Sequence, residues 1–206
     1  MIVSDIQEFD KKRCKVYIDG EFAFVLYKGE LRDYVIRSGC EIPDESYSDI
    51  MGTLLPKRCK LRAMNLLQKK DYTEKQLRDK LKEGLYPAEI VDEAIDYVKS
   101  FRYLDDERFA RDYISYHMST RSRNRIIQDL TGKGISKELL LPIMEELYTE
   151  TDDVELEQIK KLLVKKHYDK EQTDYREKQK VMAFLLRKGF GMSKIRKAMD
   201  FEPDDE

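Results

Sequence analysis

Apolar positions change rhythm near residue 40 of this 206-residue chain. Before it they fall in short runs. Cys14 to Ile18 and Phe22 to Leu26 are β-favouring runs joined through Asp19-Gly20, a dipeptide that accepts the positive φ angles of a tight hairpin turn. Residues 2–9 supply a candidate third strand. So small a sheet cannot bury enough apolar surface by itself, so a helix over 29–38 is expected to lie against it, with Leu31, Tyr34 and Val35 inward and Gly39 as its stop.

After Ile42-Pro43-Asp44 the apolar spacing becomes three and four, the period of amphipathic helices. A short helix over 44–55 is followed by one opened by Pro56 and running to Lys70, with Leu61, Ala63, Met64 and Leu67 buried. Thr73 stands three residues before Gln76, the reciprocal cap of a helix that carries Leu77 and Leu81 and stops at Gly84. Pro87 starts a third helix with Ile90, Val91, Ala94, Ile95 and Val98 on one face. The plan then repeats. Asp105 caps a helix whose first turn holds Asp106 and Glu107 and whose stripe is Phe109, Ala110, Tyr113, Ile114 and His117. A short helix from Ser122 carries Ile126, Ile127 and Leu130 and closes at Gly132 to Gly134. Ser136 opens the next, with Leu139, Leu140, Ile143, Met144 and Leu147, where Pro142 implies a kink or a later start. A third copy opens at Asp152-Asp153 with Ile159, Leu162 and Leu163, continues from Thr173 to Lys188 with Val181, Phe184 and Leu185, and ends on Ile195, Ala198 and Met199 before a frayed acidic tail at Asp204-Asp205.

Gly84, Gly134 and Gly189 are 50 and 55 residues apart, and the Asp pairs at 105/106 and 152/153 are 47 apart. These recurrences predict a mainly α fold of tandem three-helix repeats in an elongated array, behind a small N-terminal segment containing a β-hairpin. The expected parts are an extension at 1–55 and repeats at 56–104, 105–151 and 152–206.

Charge refines this plan more than bulk composition does. The net charge of −2, from 39 basic and 41 acidic residues, carries no nucleic-acid signature, but the charges are sorted. Residues 57–70 hold six cations and no acid, and residues 178–197 hold seven, Lys178, Lys180, Arg187, Lys188, Lys194, Arg196 and Lys197, again with no acid; 138–157 is mostly acidic. Arg121, Arg123 and Arg125 alternate at the start of a short helix with Lys133 at its far end, and basic helices interleaved with Tyr and Phe suit phosphates and bases. These eleven cations are the candidate binding residues, against the plainer alternative of solvated helix faces. No catalytic set is expected: His117 and His167 lack a nucleophile or carboxylate partner at a useful spacing, and no Gly-rich phosphate loop follows a strand. Capping accounts for Asp105 and Asp106 more economically than metal binding. Cys14, Cys40 and Cys59 lack metal-site spacing and predict reduced thiols, and no run approaches the roughly 20 apolar residues of a membrane span. The expectation is a soluble, cytoplasmic monomer without metal or cofactor.

Tyr103 to Tyr113, Arg125 to Ile135, Ala63 to Leu67 and Glu74 to Leu81 together closely resemble the RecX family of bacterial recombination regulators, over residues 57–200. Asn124 stands where the family often has a small residue, and Arg102-Tyr103 replaces a commoner Gly-aromatic pair; neither touches the helix stripe that Asp105, Asp106, Phe109, Ala110 and Tyr113 mark as a structural signature. The resemblance implies a non-enzymatic protein that lodges in the groove of the RecA filament on single-stranded DNA and restrains filament growth, ATP hydrolysis, strand exchange and co-protease action. A helical-repeat DNA-binding protein acting without RecA is the alternative.

Overall fold

A computed structural model describes residues 1–148 and 152–199, in two compact units that divide between Asp105 and Asp106. The tail at Asp204-Asp205 lies outside the described residues.

The first unit opens with β1 (Val3–Glu8), β2 (Arg13–Ile18) and β3 (Glu21–Tyr27), an antiparallel sheet in that order. Asp19 and Gly20, at φ 50° and 90°, make the two-residue turn between β2 and β3. Val16 faces Phe24 and Cys14 faces Leu26 across the ladder, and all four are buried. The helices that follow are α1 (Lys28–Asp33), α2 (Asp44–Asp49), α3 (Leu55–Leu67), α4 (Glu74–Lys82) and α5 (Ala88–Ser100). The sheet and these helices enclose one continuous core, from Val3 and Phe24 through Ile50 and Cys59 to Val98. Arg58 of α3 fastens the two parts: its guanidinium donates to the Val25 carbonyl at 3.1 Å and to Glu30 Oε2 at 2.7 Å, and lies 5.0 Å from the Tyr27 ring centroid.

Three expectations in this unit are corrected. The helix over 29–38 is only α1, because the Ile36 amide donates back to the Leu31 carbonyl and closes the helix with Val35 at φ 54°. Val35 is therefore 65% exposed, and Ile36 enters the core instead. The second correction concerns Pro56, which has no amide hydrogen. No break precedes it: α2 widens into a single π-helical turn at Ile50–Leu54, where the Leu55 amide reaches the Ile50 carbonyl, and α3 continues with Pro56 in its first turn. Third, the buried stripe of α3 is Leu55, Pro56, Cys59, Ala63 and Leu66, and Leu61 is 52% exposed. Cys59, which has no accessible surface, sets the phase of that stripe. Elsewhere the caps form as the sequence implies: Thr73 and Gln76 exchange side-chain-to-amide bonds of 3.3 Å each, and Leu77 and Leu81 are fully buried. Gly84 is not the left-handed residue there; Leu85 is, at φ 57°, and a Cβ on Gly84 would stand 2.7 Å from the Tyr86 ring.

The second unit contains α6 (Asp106–His117), α7 (Arg123–Gly132), α8 (Lys137–Tyr148), α9 (Asp152–Lys165), α10 (Tyr175–Arg187) and α11 (Met192–Met199). The first three close over Ala110, Ile114, Ile126, Leu130, Leu140 and Met144, and the last three over Ile159, Leu163, Leu185, Phe190 and Ile195. Helix α8 starts at Lys137 and runs through Pro142, whose side chain is exposed. Asp174 rather than Thr173 caps α10, accepting from the Glu177 amide at 2.7 Å. Among the described residues no helix is long and apolar enough to cross a membrane.

Candidate nucleic-acid interface

The second and third three-helix groups are joined by polar bonds rather than by a shared apolar core. Ser122 caps α7 by accepting from the Arg125 amide at 3.3 Å, and its hydroxyl donates to the Lys188 carbonyl at the end of α10 at 2.7 Å. Asn124 donates to the Gly189 carbonyl at 3.1 Å. From α9, the buried carboxylate of Glu155 accepts from the Arg123 amide at 2.8 Å through Oε1 and from Lys194 Nζ at 2.8 Å through Oε2. Gln158 donates to the Met118 carbonyl at 2.6 Å, and its own carbamoyl oxygen is buried with no donor among the described residues. Gly189, at φ 90°, is required here: a Cβ would meet Ser122 Oγ at 2.6 Å and the Arg125 amide at 3.2 Å.

This junction sorts the candidate cations into three environments. A cleft of about 580 Å³ opens between the start of α7 and the end of α10, lined by Arg121, Arg125, Lys161, Arg187 and Lys188 with the hydroxyl residues Ser119, Thr120 and Ser122, and with no carboxylate. On the other side of Arg125 and Arg187 a second hollow of about 540 Å³ includes Asn124, Gln128 and Lys137, again without an acid. Asp129, only 15% exposed, stands behind them and holds Arg121 Nη1 at 2.7 Å and Arg125 Nε at 3.1 Å. Arg121 also donates to the Tyr113 hydroxyl at 2.7 Å, and Lys133 Nζ lies 5.6 Å from the Tyr113 ring centroid.

The remaining candidates lie outside both hollows. Arg123 turns away from the cleft, with its guanidinium 5.7 Å from the Tyr148 ring centroid. Lys194 neutralises Glu155. Lys178 donates to the Lys170 carbonyl at 2.5 Å. Lys180, Arg196 and Lys197 are exposed and line neither hollow. Lys161 was not among the sequence candidates, although residues 158–168 hold four lysines and no acid. Glu155 and Gln158 carried no signal either, although both sit at buried phases of α9.

The signature residues take structural places. Asp105 directly precedes α6, whose first turn contains Asp106 and Glu107; Ala110 and Ile114 are fully buried. Phe109 and Tyr113 stack at 6.3 Å, and His117 lies 4.3 Å from Tyr113. Burial, with help from the nearby cations Arg121 and Lys133 and against the pull of Asp129, holds the His117 pKa below its usual value. Burial, and then the charge of Glu155, push Tyr148 up to about 12, and among the described residues its hydroxyl has no hydrogen-bond partner.

Family models of the first, second and third three-helix domains of RecX match residues 59–97, 105–140 and 153–199. A regulatory protein RecX from Caldanaerobacter subterraneus subsp. tengcongensis is 32% identical over 202 residues, 97% of this chain and 99% of its own. The chain belongs to the RecX family. A second relative, regulatory protein RecX from Clostridium perfringens (strain 13 / Type A), is 31% identical over 90% of this chain and 88% of its own. A crystal structure of regulatory protein RecX aligns with a TM-score of 0.65 at 27% identity, covering 97% of this chain and 99% of that one. The RecX crystal structure from Lactobacillus salivarius, at 24% identity, shares the fold with a TM-score of 0.61 over 70% of this chain and 94% of that one. The helical repeats and small N-terminal sheet of this chain are thus those of a RecX protein, and the relatives are named as regulators.

Proposed function

We propose that this RecX-family protein binds the RecA filament on single-stranded DNA and restrains its growth, ATP turnover, strand exchange and co-protease action. It thereby tunes recombination, DNA repair and the SOS response, as a monomeric cytoplasmic regulator that catalyses no reaction and carries no cofactor. The observation that carries the reading is the pair of cation-lined hollows at the junction of the second and third repeats, in a chain of this family. A polyanion-bound filament presents phosphate in a groove, and tandem repeats meet such a groove over successive protomers. Arg121, Arg125, Arg187 and Lys188 are the sequence candidates that serve this contact.

Imaging of RecA filaments on single-stranded DNA tests the proposal. Substoichiometric protein is expected to shorten them; filaments of unchanged length overturn it. Tight, steeply salt-dependent binding to naked DNA with no effect on filaments instead supports a DNA-binding role independent of RecA.

A further inference from the structure

We infer that the two hollows form one track for consecutive backbone phosphates of a single nucleic-acid strand, read without regard to base. The inference deepens the proposed function and rests on it for the choice of DNA as the polyanion.

Six cations line the track, Arg121, Arg125, Lys161, Arg187, Lys188 and Lys137, and the hollows share Arg125 and Arg187, so they adjoin. Like charges concentrated in a concave surface repel one another and raise the local concentration of anions. Among the described residues Lys161, Arg187 and Lys188 have no ion-pair partner. The two guanidinium groups at the back are paired, but in a way that prepares them. Asp129 and Tyr113 occupy Arg121 through Nη1 alone, leaving Nε and Nη2 as donors; Asp129 and Gln128 occupy Nε and Nη1 of Arg125, leaving Nη2. A fixed fork with spare donors matches phosphate oxygens, and the hydroxyl of Ser119 adds a neutral donor at the rim. Two adjoining hollows suit a chain of phosphates better than one free anion. Base recognition has no platform in the track, because stacking needs an exposed ring and the one aromatic residue in the lining, Phe190, is 4% exposed.

The test is anisotropy of a labelled oligothymidylate titrated with the full chain at several salt concentrations. Lys161→Glu/Arg187→Glu is expected to weaken binding at least about tenfold and to lower the slope of log affinity on log salt by about 1.4, two phosphate contacts at about 0.7 each. Lys75→Glu/Lys165→Glu makes the same change in net charge outside the track and is expected to leave both unchanged. Equal losses in the two variants, or none in the first, overturn the track. So does displacement of the oligonucleotide by ATP or by polyglutamate at matched charge, which would assign the cations to a free nucleotide or an acidic protein. Equal affinity for oligoadenylate and oligothymidylate supports phosphate reading, and a tenfold preference contradicts it. If Lys161→Glu/Arg187→Glu loses the oligonucleotide yet shortens RecA filaments fully, the track stands and its part in the proposed function falls.

Discussion

Val35 sits in the left-handed region, where a β-branched side chain crowds its own backbone, and at 65% exposure it gains little in return. Val35→Gly is therefore expected to stabilise the protein by about 1 kcal/mol, read as a higher midpoint in urea. Gly189→Ala should do the reverse. Its positive φ and the 2.6 Å approach of Ser122 Oγ predict a loss of about 1–3 kcal/mol, measured in the same titration. His117 gives a pH dependence. Its folded pKa is depressed, so the unfolded chain takes the proton more readily and protonation favours unfolding. Its contribution is intact above the unfolded value near 6.5 and is lost as pH falls through the lower folded value. Denaturant unfolding between pH 7.5 and 5 is expected to show a steeper loss in the wild type than in His117→Gln. Residues of this kind were unevenly legible in the sequence. Thr73 and Ser122 announce their caps because hydroxyl and following amide are fixed by local spacing. Val35 misled because its conformation is set by the closure of Ile36 onto Leu31, which the apolar pattern does not encode.

At the scale of elements, three- and four-residue spacing located every described helix after residue 44, since one buried face is what each needs. It failed where a small or polar residue held the buried phase. In α3 that was Cys59, and in α9 Glu155 and Gln158, which read as solvent-facing in a charged helix but fasten the third repeat to the second. Buried ion pairs lose heavily when one partner is removed, although Lys194 is 32% exposed and water weakens its share. A double-mutant cycle of Glu155→Gln and Lys194→Met is expected to give a coupling of about 1–2 kcal/mol in urea unfolding, above the usual range for exposed pairs. Arg111 and Glu146, an exposed pair between α6 and α8, provide the comparison and should couple more weakly in the same cycle.

For the molecule as a whole, recurring glycines and caps made the repeat plan visible, because each repeat must stop and restart its helices in the same way, while the family showed through the stretches from Tyr103 to Tyr113 and Arg125 to Ile135. The proposed binding face was legible only in part. The sequence groups Lys178 to Lys197 as one run, but helices distribute consecutive residues around their axes, so Arg187 and Lys188 reach the cleft, Lys194 meets Glu155, and Lys178 bonds within its own repeat. Arg121, Arg123 and Arg125 divide likewise, the middle one being held over Tyr148. The proposed target of this face is RecA. ATP turnover by RecA on single-stranded DNA, titrated with the full chain, tests it most directly. Turnover is expected to fall at substoichiometric amounts, less so with Arg121→Ala/Arg125→Ala and nearly as in the wild type with Arg123→Ala. Turnover unaffected by the wild-type protein would rule out the proposed action on RecA.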